Sequence, residues 1–146
     1  MKKIAFVCTG NTCRSPIAEN ILRELLQKAG TADYEVCSFG TSAASGEGMQ
    51  LYAYRALCAL GIRPKPHKAE QANKELIQNC DLIVTLTDAH LSRLRFPDNA
   101  YSLGALTGCG DIADPYGGSQ ETYHACAKEL KSAITILIEK LSQLLS

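Results

Sequence analysis

Apolar and polar positions along this chain fall into blocks whose period changes from block to block. Lys3 to Val7 is a short apolar run holding the β-branched Ile4 and Val7, the pattern of a strand buried on both faces. A polar stretch follows, Cys8 to Arg14, with Gly10 inside it. Ser15-Pro16 then predicts a helix N-cap with proline at the first helical position. Ile17, Ile21, Leu22, Leu25 and Leu26 recur at helical spacing until Gly30. The opening of the chain thus predicts strand, polar loop, helix.

The same reading predicts a second strand at Tyr34–Ser38, ended by Phe39-Gly40, and a helix from Gln50 to Leu60 stopped by Gly61. Lys74 to Asn79 predicts a short helix, Asp81 to Leu86 a third buried strand and Asp88 to Leu94 another helix. Tyr101 to Leu103 is a weak fourth strand. Ser119 caps a long last helix striped by Tyr123, Leu130, Ile134, Leu137, Ile138, Leu141 and Leu145. Strands alternating with helices imply an α/β fold, a parallel sheet covered on both faces. Ligands in such folds sit at the carboxyl ends of strands, which is where the polar loop after Val7 lies.

No repeat or linker divides the 146 residues, so a single domain spanning 1–146 is expected. Lys+Arg 15 balances Asp+Glu 15, which argues against nucleic acid or an anionic membrane as a partner. Trp is absent and aromatics are 6%, too few for a base-stacking platform. The 7 cysteines show no C-x-x-C spacing, and His67, His90 and His124 form no ligand pair, so no metal is expected. The N-terminal apolar run is too short for a signal peptide, and no later run reaches membrane-spanning length. Together these features predict reduced thiols in the cytoplasm, with Cys37, Cys58, Cys80, Cys109 and Cys126 as core residues.

The chemistry is concentrated in the loop. A dianionic phosphate needs converging donors, which the backbone N–H groups of a tight loop and a helix's first turn supply. Arg14, where the helix begins, adds a planar fork for two oxygens. Such a field favours the thiolate of a cysteine held inside it, and Cys8 stands at the loop's start. A sulfur beneath a bound phosphoryl group is placed for in-line attack. The hydroxyls of Thr9 and Ser15 can bond that sulfur or shape the loop.

Cys8-Thr9-Gly10-Asn11-Thr12-Cys13-Arg14-Ser15-Pro16 resembles the phosphate-binding loop of the low-molecular-weight protein tyrosine phosphatase family. Asp114-Pro115-Tyr116-Gly117 resembles that family's general-acid loop, and similarity extends through Ser38–Ser42 and the strand at Asp81 to Leu86. The resemblance implies a three-layer fold, a four-stranded parallel sheet with helices on both faces, and a cofactor-free, two-step hydrolysis through a phosphocysteine. Phosphorylated protein side chains would be the substrates and inorganic phosphate the product. It makes Cys8 the nucleophile, Arg14 the phosphate grip and Asp114 the general acid, with Asp111 the competing carboxylate. Thr9, Gly10, Asn11, Thr12, Cys13 and Ser15 would bind the substrate. Asn11 would also hold the loop in shape with Ser38 as partner, and Tyr116 would wall the cleft.

Two departures stand out. Gly117 replaces a second aromatic that many members carry, and the family's His-x-Ala-Arg segment reads His67-Lys68-Ala69-Glu70. Thr12 stands where tyrosine-specific members commonly carry an apolar residue, and it is similar to the bacterial protein arginine phosphatase branch. A hydroxyl there suits a planar phosphoguanidinium, so phosphoarginine and phosphotyrosine both stay open as substrates. Cys13 is either a small buried filler or a redox partner of Cys8. Thioredoxin-coupled arsenate reductases share the Cys-x5-Arg loop, but Thr87 stands where a partner for Cys80 is needed. A non-catalytic phosphoprotein-binding module would lack the nucleophile or the acid, and Cys8, Arg14 and Asp114 are all present.

Overall fold

Eleven elements build the chain in a computed structural model that describes residues 1–146. They are β1 (Lys2–Cys8), α1 (Arg14–Lys28), β2 (Tyr34–Gly40), α2 (Leu51–Ala59), α3 (Lys74–Gln78), β3 (Leu82–Thr85), α4 (Asp88–Arg93), β4 (Ala100–Ser102), α5 (Leu103–Thr107), α6 (Gln120–Ile138) and α7 (Leu141–Leu144). The four strands form one sheet, ordered β2-β1-β3-β4, and all three pairings are parallel. Its central strand β1 is apolar on both faces because both are covered. Ile4, Phe6 and Cys8 join the large core of α1, α2 and α6, whereas Ala5 and Val7 join a smaller one completed by Leu76, Ile77, Leu91 and Leu94. From β1 the chain turns to β2 on one side and later to β3 on the other. The C-terminal end of β1 is therefore the topological switch point, where such sheets leave a crevice. No helix is long and apolar enough to cross a membrane.

Several boundaries differ from the sequence reading, each for a physical reason. Cys13, not Ser15, is the N-cap of α1, and Ser15 lies in the first turn because its hydroxyl turns to Cys8 instead of an N–H. Strand β2 runs on through Phe39-Gly40, since β1 still offers a pairing edge opposite those residues. The last strand ends at Ser102, whose side chain accepts from Ala105 N and starts the unexpected helix α5. The long last helix stops at Ile138 and resumes as α7, which returns Leu141 to the core. Cys58 and Cys109 are exposed and Cys37 is half-buried, while Cys80 and Cys126 are buried. Cys58 faces outward on α2 and Cys109 lies in a surface turn, so neither is core.

Candidate active site

The loop Cys8–Arg14 begins where β1 ends, and the sheet itself shapes its start. Thr41 N donates to Cys8 O and Ser42 N to Thr9 O, both at 2.9 Å, which lashes the loop to the end of β2. That approach demands Gly40, because a Cβ there would lie 2.4 Å from Thr9 O. Asn11 makes the turn with φ +56°, a left-handed conformation that asparagine tolerates better than most side chains.

Asn11 is fully buried, and its amide is oriented by its partners. Oδ1 accepts from Glu70 N at 3.0 Å, so Nδ2 must donate to Ser15 Oγ at 2.8 Å and to Ser38 Oγ at 2.9 Å. Ser38 in turn donates its own hydrogen bond to Glu19 Oε1 at 2.6 Å. Ser15, having accepted from Asn11, has its proton free for Cys8 Sγ at 2.9 Å, and Ser15 N points at the same sulfur at 3.4 Å. Cys8 Sγ thus accepts from two donors, a polarity suited to a nucleophile. The segment His67–Glu70 keeps a role without its arginine. Its backbone holds Asn11 and Gly40, and the His67 ring bonds Asn11 O at 2.6 Å.

Arg14 is almost fully buried at the start of α1. Its Nη1 donates to Ile112 O at 3.0 Å, Nη2 donates to Thr9 Oγ1 at 3.4 Å, and Asp114 Oδ2 lies 3.6 Å from Nη2. Asp114 itself is half-exposed and accepts from Tyr116 N, which stiffens the turn that carries both. Asp111 is committed elsewhere, accepting from Asp88 N at 3.0 Å at the start of α4. Cys13 contacts Tyr123 Oη at 3.6 Å on α6, and burial pushes its thiol upward, so it stays protonated. Of the two loop cysteines, only Cys8 is bonded by Ser15.

These parts enclose a cleft of about 290 Å³, lined by Cys8, Thr9, Gly10, Thr12, Cys13, Arg14, Glu47, Asp114 and Tyr116. The side chains of Asn11 and Ser15 do not reach it; they hold the loop from behind. Sequence reasoning missed Glu47, which comes from the turn before α2, and also Glu19, Ile112 and His90. None of these carries a local motif, and each arrives through the fold. No three His, Cys, Asp or Glu side chains converge as a metal-holding group.

His90 lies just behind the loop, bonded to Thr9 Oγ1 at 2.9 Å and Thr87 Oγ1 at 3.0 Å. Burial, reinforced by the Arg14 charge, lowers its pKa from 6.5 to about 4, against a weaker pull from Asp111 and Asp114. Between those values the unfolded chain binds more protons, so this group's stability is present above pH 6.5 and is lost as pH falls toward 4. The loss is expected to be at most about 3 kcal/mol. Urea melts across this window should show a shallower pH slope for His90→Gln than for the wild type. Equal slopes would contradict the assignment.

Residues 3–145 match the family described as low molecular weight phosphotyrosine protein phosphatase. The low molecular weight protein-tyrosine-phosphatase PtpB of Staphylococcus haemolyticus is 38% identical over 133 residues, which cover 88% of this chain and 91% of that protein. The protein-arginine-phosphatase of Geobacillus stearothermophilus is 38% identical over 146 residues, covering 95% of each. Among solved structures, the YwlE arginine phosphatase of Geobacillus stearothermophilus superposes with TM-score 0.87 at 37% identity, over 98% of this chain and 94% of that one. A low molecular weight protein tyrosine phosphatase from T. tengcongensis superposes with TM-score 0.90 at 34% identity, over 96% and 99%. A YwlE arginine phosphatase with its active-site cysteine mutated to a phosphorylated serine superposes with TM-score 0.89 at 31% identity, over 96% and 95%.

Proposed function

Because the chain belongs to the low molecular weight phosphotyrosine protein phosphatase family and is a cysteine-dependent phosphatase, we propose that Cys8, Arg14 and Asp114 carry its reaction on phosphorylated protein side chains. One observation supports this above the others. Cys8 Sγ, accepting from Ser15, lines the same cleft as a buried guanidinium and a half-exposed carboxylate.

In the first step the phosphoryl oxygens meet the loop N–H groups and Arg14, and Cys8 Sγ attacks phosphorus in line. The S–P bond forms as the bond to the leaving oxygen or nitrogen breaks, and the Asp114 carboxyl supplies the proton that the leaving group needs. In the second step the Asp114 carboxylate takes a proton from water, whose oxygen attacks phosphorus. The S–P bond breaks, inorganic phosphate departs and Cys8 is restored. The phosphorylated active-site serine of the related YwlE mutant supports a covalent phosphoryl intermediate. The 7 cysteines are all free, which fits a reaction in the cytoplasm.

Between the two substrate classes we propose phosphoarginine. Thr12 puts a hydroxyl on the cleft wall, and Glu47 adds a carboxylate and Asp114 a carboxyl oxygen to the lining. A guanidinium is planar, rich in N–H donors and cationic, so it answers all three groups; a phenyl ring answers none. The Glu47 carboxylate also repels the phosphate dianion, a cost common to both substrates that leaves the preference intact. The test is kcat/KM on matched phosphoarginine and phosphotyrosine peptides. Thr12→Ile and Glu47→Gln are each expected to move the ratio toward phosphotyrosine, by about tenfold for Thr12→Ile. Ratios unmoved by either change would sink the preference.

A further inference from the structure

His90 does not line the cleft, yet both of its ring nitrogens are committed to a chain of hydrogen bonds that ends on Arg14. We propose that neutral His90 is a positioning residue for Arg14, acting through the Thr9 hydroxyl. The inference rests on the reading of Arg14 as the group that grips the phosphoryl oxygens.

Donor counting fixes the bond at the Arg14 end of the chain, and the tautomer of His90 sets the rest. Guanidinium nitrogens only donate, so Thr9 Oγ1 accepts from Arg14 Nη2 at 3.4 Å. With the Thr9 hydroxyl proton assigned to His90 Nε2, 2.9 Å away, that nitrogen is bare. The ring proton therefore sits on Nδ1 and is donated to Thr87 Oγ1 at 3.0 Å. Thr87 Oγ1 also accepts from His90 N at 3.2 Å, using its second lone pair, and so anchors the ring to the first turn of α4. A charged ring would reverse the Thr9–His90 bond and set a second cation beside the guanidinium. Arg14 from α1, Asp111 and Asp114 from the segment before α6, and Asp88 and Arg93 on α4 itself are the charged groups around this ring or its helix.

The consequence for the reaction is geometric. Ile112 O holds Nη1 and Thr9 holds Nη2, so the fork is fixed at two points while Arg14 lines the cleft. Charge on the phosphoryl oxygens is redistributed in the transition state, and a fork that wanders loses most there. A loosened Arg14 should therefore lower kcat more than it raises KM.

The experiment is a double-mutant cycle on the full chain with a nitrophenyl phosphate, comparing Thr9→Val, His90→Leu and both together, alongside urea midpoints. Each single change is expected to lower kcat about tenfold, the loss of one well-placed hydrogen bond. The double variant should be no slower than the worse single, because both cut the same chain. His90→Gln, whose side-chain oxygen can accept from Thr9, should recover most of the loss. Losses that multiply in the double variant, a Gln variant no better than Leu, or lowered urea midpoints with intact kcat would each overturn the role of His90. A separate variant, Arg14→Lys, tests the premise: full turnover there removes the assignment of Arg14, whereas multiplying losses remove only the relay.

Discussion

Cys8→Ser is expected to lose turnover by at least about 10⁴-fold while still binding sulfate or vanadate in the cleft. The loop's shape does not depend on sulfur. It is set by Asn11, by Gly40 and by the lashing of Cys8 O and Thr9 O to the end of β2. The substitution removes one atom type from a site that is 2% exposed, and the oxyanion donors stay in place. What is lost is a polarisable nucleophile; a serine hydroxyl at the same place keeps its proton and attacks poorly. Single-turnover kinetics would measure the loss and calorimetry with sulfate the retained binding. Turnover within about a hundredfold of wild type would remove Cys8 from the nucleophilic role.

The second large effect belongs to Asp114. Its replacement by Ala should slow poor leaving groups by about 10² to 10⁴-fold, and activated aryl phosphates much less. The reason is that a good leaving group departs as an anion without help, whereas an ordinary phenol or a guanidine needs the proton. A series of aryl phosphates of graded leaving-group acidity would show this as a steeper dependence of kcat in the variant. Equal slowing across the series would count against the acid role. Asp111→Asn is the internal comparison. It touches the start of α4 and not the cleft, so its cost should appear in stability and leave the leaving-group dependence unchanged.

Much of this arrangement was legible in the chain itself because it is local. The apolar run into β1, the glycine-containing polar loop and the apolar stripe of α1 occupy consecutive residues, and period changes mark their limits. The exact cap was not legible. Ser15-Pro16 has the composition of a helix start, but Ser15 is drawn away by Cys8 and Asn11, a competition between a local preference and a nonlocal bond. Helix α5 was missed for a related reason, since Tyr101–Leu103 has strand character only up to the point where Ser102 turns its hydroxyl to Ala105 N. The exposure of Cys58 and Cys109 was likewise invisible to residue type, because a small thiol is accepted on either side of a surface.

By itself the sequence determined the alternation of strand and helix, the place of the loop at a strand's carboxyl end, and the presence of a thiol, a guanidinium and a carboxylate. These follow from short-range pattern, where burial period and turn chemistry act within a few residues. Only the tertiary structure decided which carboxylate meets Arg14, placing Asp114 at 3.6 Å and turning Asp111 away to Asp88 N. It also decided that Glu47 joins the cleft, and that His90 stands behind Thr9. Those outcomes depend on strand order and on the meeting of segments some 80 residues apart, as at the Thr9–His90 bond. No pattern confined to neighbouring residues carries that information.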